Sequence, residues 1–219
     1  VSQEARLEAR ILSAARQLIL TRGYSRMTMD GLAAELRVSK KTLYQHFSSK
    51  ESLGQSVLEA TLEEISTALR AIVKDRELDF DARLSRMVQV LSLRYREAGR
   101  ALDDLQRDAP ELWERLLELR RAAVQDNFER LLASGLREGM IRKDVEPRLM
   151  VRMVLTLVDQ LLRPDALAAL ELGADEVFTQ LLAVVGDGLR AGRKEPAARG
   201  GKSTARVRAK QVAVSRRST

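Results

Sequence analysis

Apolar side chains along this chain recur at every third or fourth position and stretches of β-branched residues stay short, so the pattern predicts helices throughout and almost no strand. Glu4 to Arg22 reads as one amphipathic helix. Leu7, Ile11, Ala14, Ala15, Leu18 and Ile19 share a face, Arg6, Arg10, Arg16 and Arg22 lie largely elsewhere, and Gly23 supplies the stop. Two short helical runs follow between Thr28 and Phe47. Beyond them, runs over 51–74, 81–98, 101–108, 110–135, 146–164 and 174–190 predict a helical bundle, with Pro110 and Pro147 near helix starts and Gly139 near a stop. A chain of 219 residues can hold one small domain and a larger one with a buried core. From Arg190 onward the apolar pattern ends and Gly, Ala, Ser and Pro mix with basic residues, a composition expected to be disordered on its own.

The segment Thr28 to Phe47 has the organisation of two helices joined by a tight turn. Thr28 and Ser39 each precede a helical run, where a hydroxyl can accept a bond from an unpaired N–H of the first turn. Ala33 is small enough for the two helices to approach closely, and Leu32, Leu36, Val38, Leu43 and Phe47 form their shared apolar seam. Lys40, Lys41, Thr42, Tyr44, Gln45 and His46 then fall mostly outside the seam. Cations, hydroxyls and an amide on one exposed helix face are the groups that contact phosphates and base edges. After this unit, Ser48 and Glu51 have the spacing of a capping box, which predicts a helix start beside Lys50 and a phosphate contact there.

Charge sharpens this division. The net +7 separates into +5 over residues 1–50, −7 over 51–189 and +9 over 190–219, so both ends suit phosphates and the middle does not. The chain has no cysteine, hence no disulfide framework, which agrees with a cytosolic life. No apolar run approaches the ~20 residues a membrane span needs, and no secretory leader is visible. Because the sequence begins at Val1, an upstream start is expected.

The segment Ile11 to Leu53 resembles the DNA-binding domain of the tetracycline-repressor (TetR) family of bacterial regulators. The matching residues are Ile11, Ala14, Ala15, Leu18, Gly23, Tyr24, Thr28, Met29, Leu32, Ala33, Val38, Ser39, Lys40, Thr42, Leu43, Tyr44, Phe47, Lys50, Glu51 and Leu53. The resemblance covers about a fifth of the chain. It departs from the family pattern at Arg37, where Gly is frequent in the inter-helix turn; a left-handed backbone would cost a non-Gly residue about 1 kcal/mol, so a differently shaped turn is expected. Gly31 stands where an acidic residue is common, and Lys41 adds a cation where Gly is common. The stretch Gly135 to Pro147 and the apolar helix after it are similar to the family's C-terminal domain.

The resemblance implies an all-α protein with an N-terminal helix-turn-helix domain over 1–50, a helical regulatory and dimerisation domain over 51–190, and a basic tail over 191–219. It implies a cytoplasmic, nucleoid-associated homodimer that binds a roughly palindromic double-stranded DNA operator, with Thr28, Ser39, Lys40, Lys41, Thr42, Tyr44, Gln45, His46 and Lys50 as the DNA-facing set. The helices after Pro147 and Ala174 carry more apolar residues than one core needs. Val154, Leu157, Val158, Leu161, Phe178, Leu181 and Val185 are the candidates for contact with a second copy. A mostly apolar small-molecule effector is implied within the C-terminal core, and Met87, Leu91, Tyr95, Trp113, Phe128, Met153 and Gln160 are the candidate pocket residues, against ordinary core filling for several of them.

Other features read as bland. His46 is the single histidine and has no histidine or cysteine partner, so a phosphate contact suits it better than a metal or general-base role. The acidic stretch Asp75 to Asp81, the pair Asp103 and Asp104, and the pair Arg120 and Arg121 read as solvated surface. Gly200 to Ser203 lacks the earlier glycine and the strand-to-helix setting of a phosphate loop. No catalytic residue, metal ligand or cofactor is expected. The reading is a sequence-specific repressor released by a ligand, with a non-specific DNA-packaging or adaptor protein that uses the basic tail as the alternative and an enzyme as the poorest fit.

Overall fold

The computed structural model describes residues 2–144 and 146–190, all helices and connections among them. The elements are α1 (Gln3–Arg22), α2 (Met29–Leu36), α3 (Lys40–His46), α4 (Lys50–Lys74), α5 (Phe80–Asp108), α6 (Pro110–Arg137), α7 (Pro147–Leu161), α8 (Pro164–Leu170) and α9 (Ala174–Leu189). The expected basic tail, 191–219, lies outside the described residues.

Local chemistry sets the ends of the N-terminal helices. Ser2 caps α1, and Gly23, at φ 89°, ends it while its N–H donates to Ile19 O at 2.9 Å. Thr28 accepts from Gly31 N at 3.1 Å and Ser39 from Thr42 N at 3.0 Å, the two caps expected from the sequence. The capping box of α4 is shifted by one residue from expectation: Ser49 accepts from Ser52 N at 3.1 Å, and Ser52 Oγ accepts from Ser49 N at 3.3 Å. Burial of Phe47, Leu53 and Val57 fixes the phase of the chain here and leaves Ser49, not Ser48, as the extended residue before the first turn.

The turn between α2 and α3 also differs from expectation. Arg37 adopts the left-handed conformation, φ 56° and ψ 41°, and Val38 N donates back to Ala33 O at 3.0 Å. The turn therefore keeps the geometry glycine would serve, and Arg37 bears the strain.

In the body, the expected runs 81–98 and 101–108 are one helix, α5, bent at Gly99 where φ is 20° and ψ −108°. The expected run 146–164 ends early: α7 stops at Leu161, and Arg163, held extended (φ −71°, ψ 144°) before Pro164, precedes the short α8, which apolar spacing had not signalled. Central to the bundle is α6, which packs against α4, α5 and α7. Its Gly135 lies so close to α5 that a Cβ there would meet Phe80 Cε2 at 2.6 Å. Asn127 of α6 is buried and donates to Ala123 O at 2.8 Å and towards Ser66 of α4 at 3.4 Å. Ile141 and Arg190 form an isolated antiparallel bridge beside the end of α9.

One core runs unbroken from Ile11 and Leu18 of α1 through Leu43, Leu53 and Leu69 to Phe128 and Leu155. A smaller cluster, Val158, Leu162, Val177 and Phe178, joins α7 and α9 with Leu91 and Tyr95 of α5 packed against it. Among the described residues, no helix is long and apolar enough to cross a membrane.

Candidate nucleic-acid interface and internal cavity

The exposed face of α3 follows from what its other face buries. Leu43 is wholly buried and Phe47 nearly so, with Leu36 and Val38 packed against them. Lys41, Tyr44 and Gln45, at helical spacings of three and four, consequently stand together in solvent, Tyr44 with 48% of its surface exposed. Lys40 flanks them but its Nζ is paired with Asp30 Oδ2 at 2.5 Å. Thr42 and His46 are half-buried, and the Thr42 hydroxyl lies 2.7 Å from that of Ser39. Thr28 and Ser39 are exposed and already serve as caps. Lys50 points elsewhere: its ammonium donates to Ser25 O at 3.1 Å and sits 4.4 Å from the centre of the Tyr24 ring, so it braces the loop after α1.

That loop is also held from the body. Ser25 N donates to Asp104 Oδ2 at 2.9 Å, and Ser25 Oγ to Asp108 Oδ2 at 2.6 Å. Asp104 thus latches the loop onto α5 and is not the solvated surface that its sequence neighbourhood suggested; beside its neighbour Arg107, its partner Ser25 lies 79 positions away, beyond the reach of any local pattern. The guanidinium of Arg107 and the Ser25 hydroxyl, both bonded to the Asp108 carboxyl, hold its pKa down at about 2.

Beneath this latch the body holds a partly open cavity of about 200 Å³. Its walls are almost entirely apolar and come from α1, α4, α5, α6, α7 and α9. Of the expected pocket residues, Leu91, Tyr95 and Phe128 line it. Trp113 lines an adjoining cleft with Tyr95 and Leu102. The remaining three are placed elsewhere. Met87 is wholly buried core, while Met153 and Gln160 face outward, Met153 with 53% of its surface exposed. Conversely Val154, Val158, Phe178 and Val185, expected to face a second copy, line the cavity. A rotation of one position along α7 separates the two faces, so Met153 and Val154 exchange roles.

Sequence reasoning also missed Arg120. Its side chain is 16% exposed, lines the cavity, and is ion-paired with Asp159 of α7, which Arg121 also approaches at 3.5 Å. Burial pushes the Arg120 pKa down and the Tyr95 pKa up, with each group favouring the charged form of the other. Nothing in local sequence marks one arginine of an adjacent pair as buried; the packing of α6 between α5 and α7 decides it.

Comparison with known proteins agrees with this architecture. Residues 11–57 match the bacterial regulatory proteins of the tetR family. The nucleoid occlusion factor SlmA of Vibrio campbellii is 31% identical over 166 residues, 72% of this chain and 83% of that protein. The chain belongs to the TetR family. An uncharacterized HTH-type transcriptional regulator of Bacillus subtilis, YvaF, is 26% identical over 189 residues, 84% of this chain and 96% of its own. The fold is shared with a TetR transcription regulator from Haloarcula marismortui at a TM-score of 0.69 and 20% identity, over 85% of this chain and all of that one.

As a TetR-family member the protein is a sequence-specific DNA-binding transcriptional regulator, and α2 and α3 are its helix-turn-helix. The outer surface of this TetR-family body carries a second feature. Leu149, Met153 and Leu157 form an apolar stripe along α7, 39–53% exposed, and Val184 of α9 is 73% exposed. Of the expected dimer contacts, Leu157 lies on this stripe; Leu161 and Leu181 are half-buried.

Proposed function

We propose that the protein is a homodimeric repressor that leaves its operator when a small molecule occupies the cavity. The observation that carries this reading is the membership of the cavity wall: Ile19 and Leu20 belong to α1, which packs on α2, and Val57 and Leu58 belong to α4, which follows α3 in the chain and packs against α1. A ligand touching them alters the position of the DNA-binding unit, and operator and ligand then oppose each other through one coupling energy. In the dimer, two copies of α3 meet successive major grooves of a roughly palindromic site. Lys41, Tyr44 and Gln45 are the central contacts, with Lys40, Thr42, His46, Thr28 and Ser39 around them, while Lys50 supports the loop beside them. Lys40 reaches a phosphate by leaving Asp30.

The test is selection of bound duplexes from a random library by the full chain at physiological salt, repeated without residues 191–219. An enriched palindrome that survives removal of the tail is expected, with discrimination of roughly 10³–10⁷ over random DNA. Tail removal should lower the salt dependence and leave base preference intact. Lys41→Ala should weaken all duplexes alike and reduce the salt slope by about 1. Absence of enrichment, with binding lost alongside the tail, would favour the packaging or adaptor reading.

The SlmA relatives favour a second reading, nucleoid occlusion, at 31–33% identity for those from Vibrio campbellii and Klebsiella pneumoniae. Many dispersed genomic sites and no ligand effect on binding would support it over the repressor.

A further inference from the structure

We propose that the cavity takes an amphipathic monoanion, a compact apolar body ending in one carboxylate, and that Arg120 and Tyr95 hold that carboxylate. The inference rests on the reading of the cavity as the effector site. The other charged residues along the wall are spoken for: Arg16 pairs with Glu64 at 2.8 Å, and Arg94 with Glu97 at 3.0 Å. Arg120 differs because its one carboxylate partner among the described residues, Asp159, is shared with Arg121, so two guanidiniums face one carboxylate. The exposed Asp103 acts on Tyr95 from outside the apolar wall. One positive charge is left in surplus at the edge of a space whose wall is almost entirely apolar.

A buried charge without full compensation is costly, and an entering anion removes that cost while a neutral or cationic head does not. The guanidinium fork and the Tyr95 hydroxyl converge, and Tyr95 is itself fixed by stacking on Phe178, with ring centres 5.9 Å apart. The apolar body then lies against the apolar wall, to which Val158, Phe128 and Leu58 contribute. A volume of about 200 Å³ falls below the ~300–1,000 Å³ of pockets for drug-sized ligands, so the occupant is compact.

The experiment is calorimetric titration of the full chain with decanoate, decanol and decyltrimethylammonium, each below its micelle concentration. Decanoate is expected to bind at least about tenfold more tightly than decanol, the scale of a charge-assisted hydrogen bond, with the cation weakest. Arg120→Met should bring acid and alcohol to parity. Asp159→Asn, which frees Arg120, should widen the preference for the acid, a change opposite in sign to that of general damage to the fold. Equal binding of acid and alcohol by the unaltered protein, no binding of decanoate, an unchanged ratio in Arg120→Met, or a narrowed one in Asp159→Asn would overturn the proposal. Operator binding is measured separately: decanoate that binds through Arg120 without displacing the selected operator leaves this site standing and removes the effector reading.

Discussion

At Arg37 the turn of the helix-turn-helix holds an arginine at φ 56°, a conformation that costs an L-residue about 1–2 kcal/mol. Glycine removes that cost but loses about 0.5–1 kcal/mol more to unfolded-chain entropy. Arg37→Gly should therefore stabilise the protein by about 0.5–1 kcal/mol, read as a higher midpoint in urea with an unchanged slope. A lower midpoint would mean that the arginine side chain contributes more than its backbone costs. Ser25 presents a different residue-scale device. Its hydroxyl bonds Asp108, whose pKa is depressed to about 2 from its ordinary value of 3.8. A carboxylate with a depressed folded-state pKa stabilises fully above its unfolded pKa and loses that contribution as pH falls through the folded one. The latch should hold at pH 4 and release towards pH 2, and the Asp108 carboxyl carbon, followed by NMR, should titrate near 2; Ser25→Ala should raise that midpoint towards the ordinary range. A midpoint already near 4 in the unaltered protein would show that the latch is not formed in solution.

Elements were legible in the sequence to the extent that their signals are local. The caps at Thr28 and Ser39, the stop at Gly23 and the apolar seam of α2 and α3 depend on residues within a few positions of one another, and each stands where the pattern put it. Rotational phase in the body was not legible. Helix α7 is apolar on more than half its circumference, so spacing cannot say which of Met153 and Val154 faces the cavity; the packing of α7 on α6 and α9 decides, and Val154 wins. The latch of Asp104 and Asp108 onto Ser25 and the burial of Arg120 are likewise long-range outcomes. Close helix contact gives the element scale its own test. At Gly135 a Cβ would stand 2.6 Å from the Phe80 ring and 2.9 Å from Ile141, so α5 and α6 must separate or Phe80 must leave its rotamer. Gly135→Ala should destabilise by about 1–3 kcal/mol despite its better helix propensity. Thermal melts of the two proteins check this, and an unchanged or raised midpoint would show that the helix ends there yield freely.

For the molecule as a whole, the apolar stripe of α7 has no counterpart among the described residues. Leu149, Met153 and Leu157 recur at intervals of four, face outward, and lie beside α9, where Val184 is exposed. Contiguous exposed apolar surface of this kind marks an interface, and in a twofold dimer the same stripe meets its own copy. Two DNA-binding units would then be held at a fixed separation, so that a site with two half-sites is bound far more tightly than either half alone. Met153→Glu with Leu157→Glu places like charges across the twofold axis while leaving the inward residues Val154 and Val158 untouched. The double variant should sediment as a monomer, keep its helical circular dichroism, and lose at least about a hundredfold in affinity for a palindromic duplex while keeping its affinity for a half-site. Val158→Glu, by contrast, should disturb the cavity and the core, because that side chain faces inward. A double variant that still sediments as a dimer would move the interface to another face and, with it, the geometry by which cavity occupancy reaches the two copies of α3.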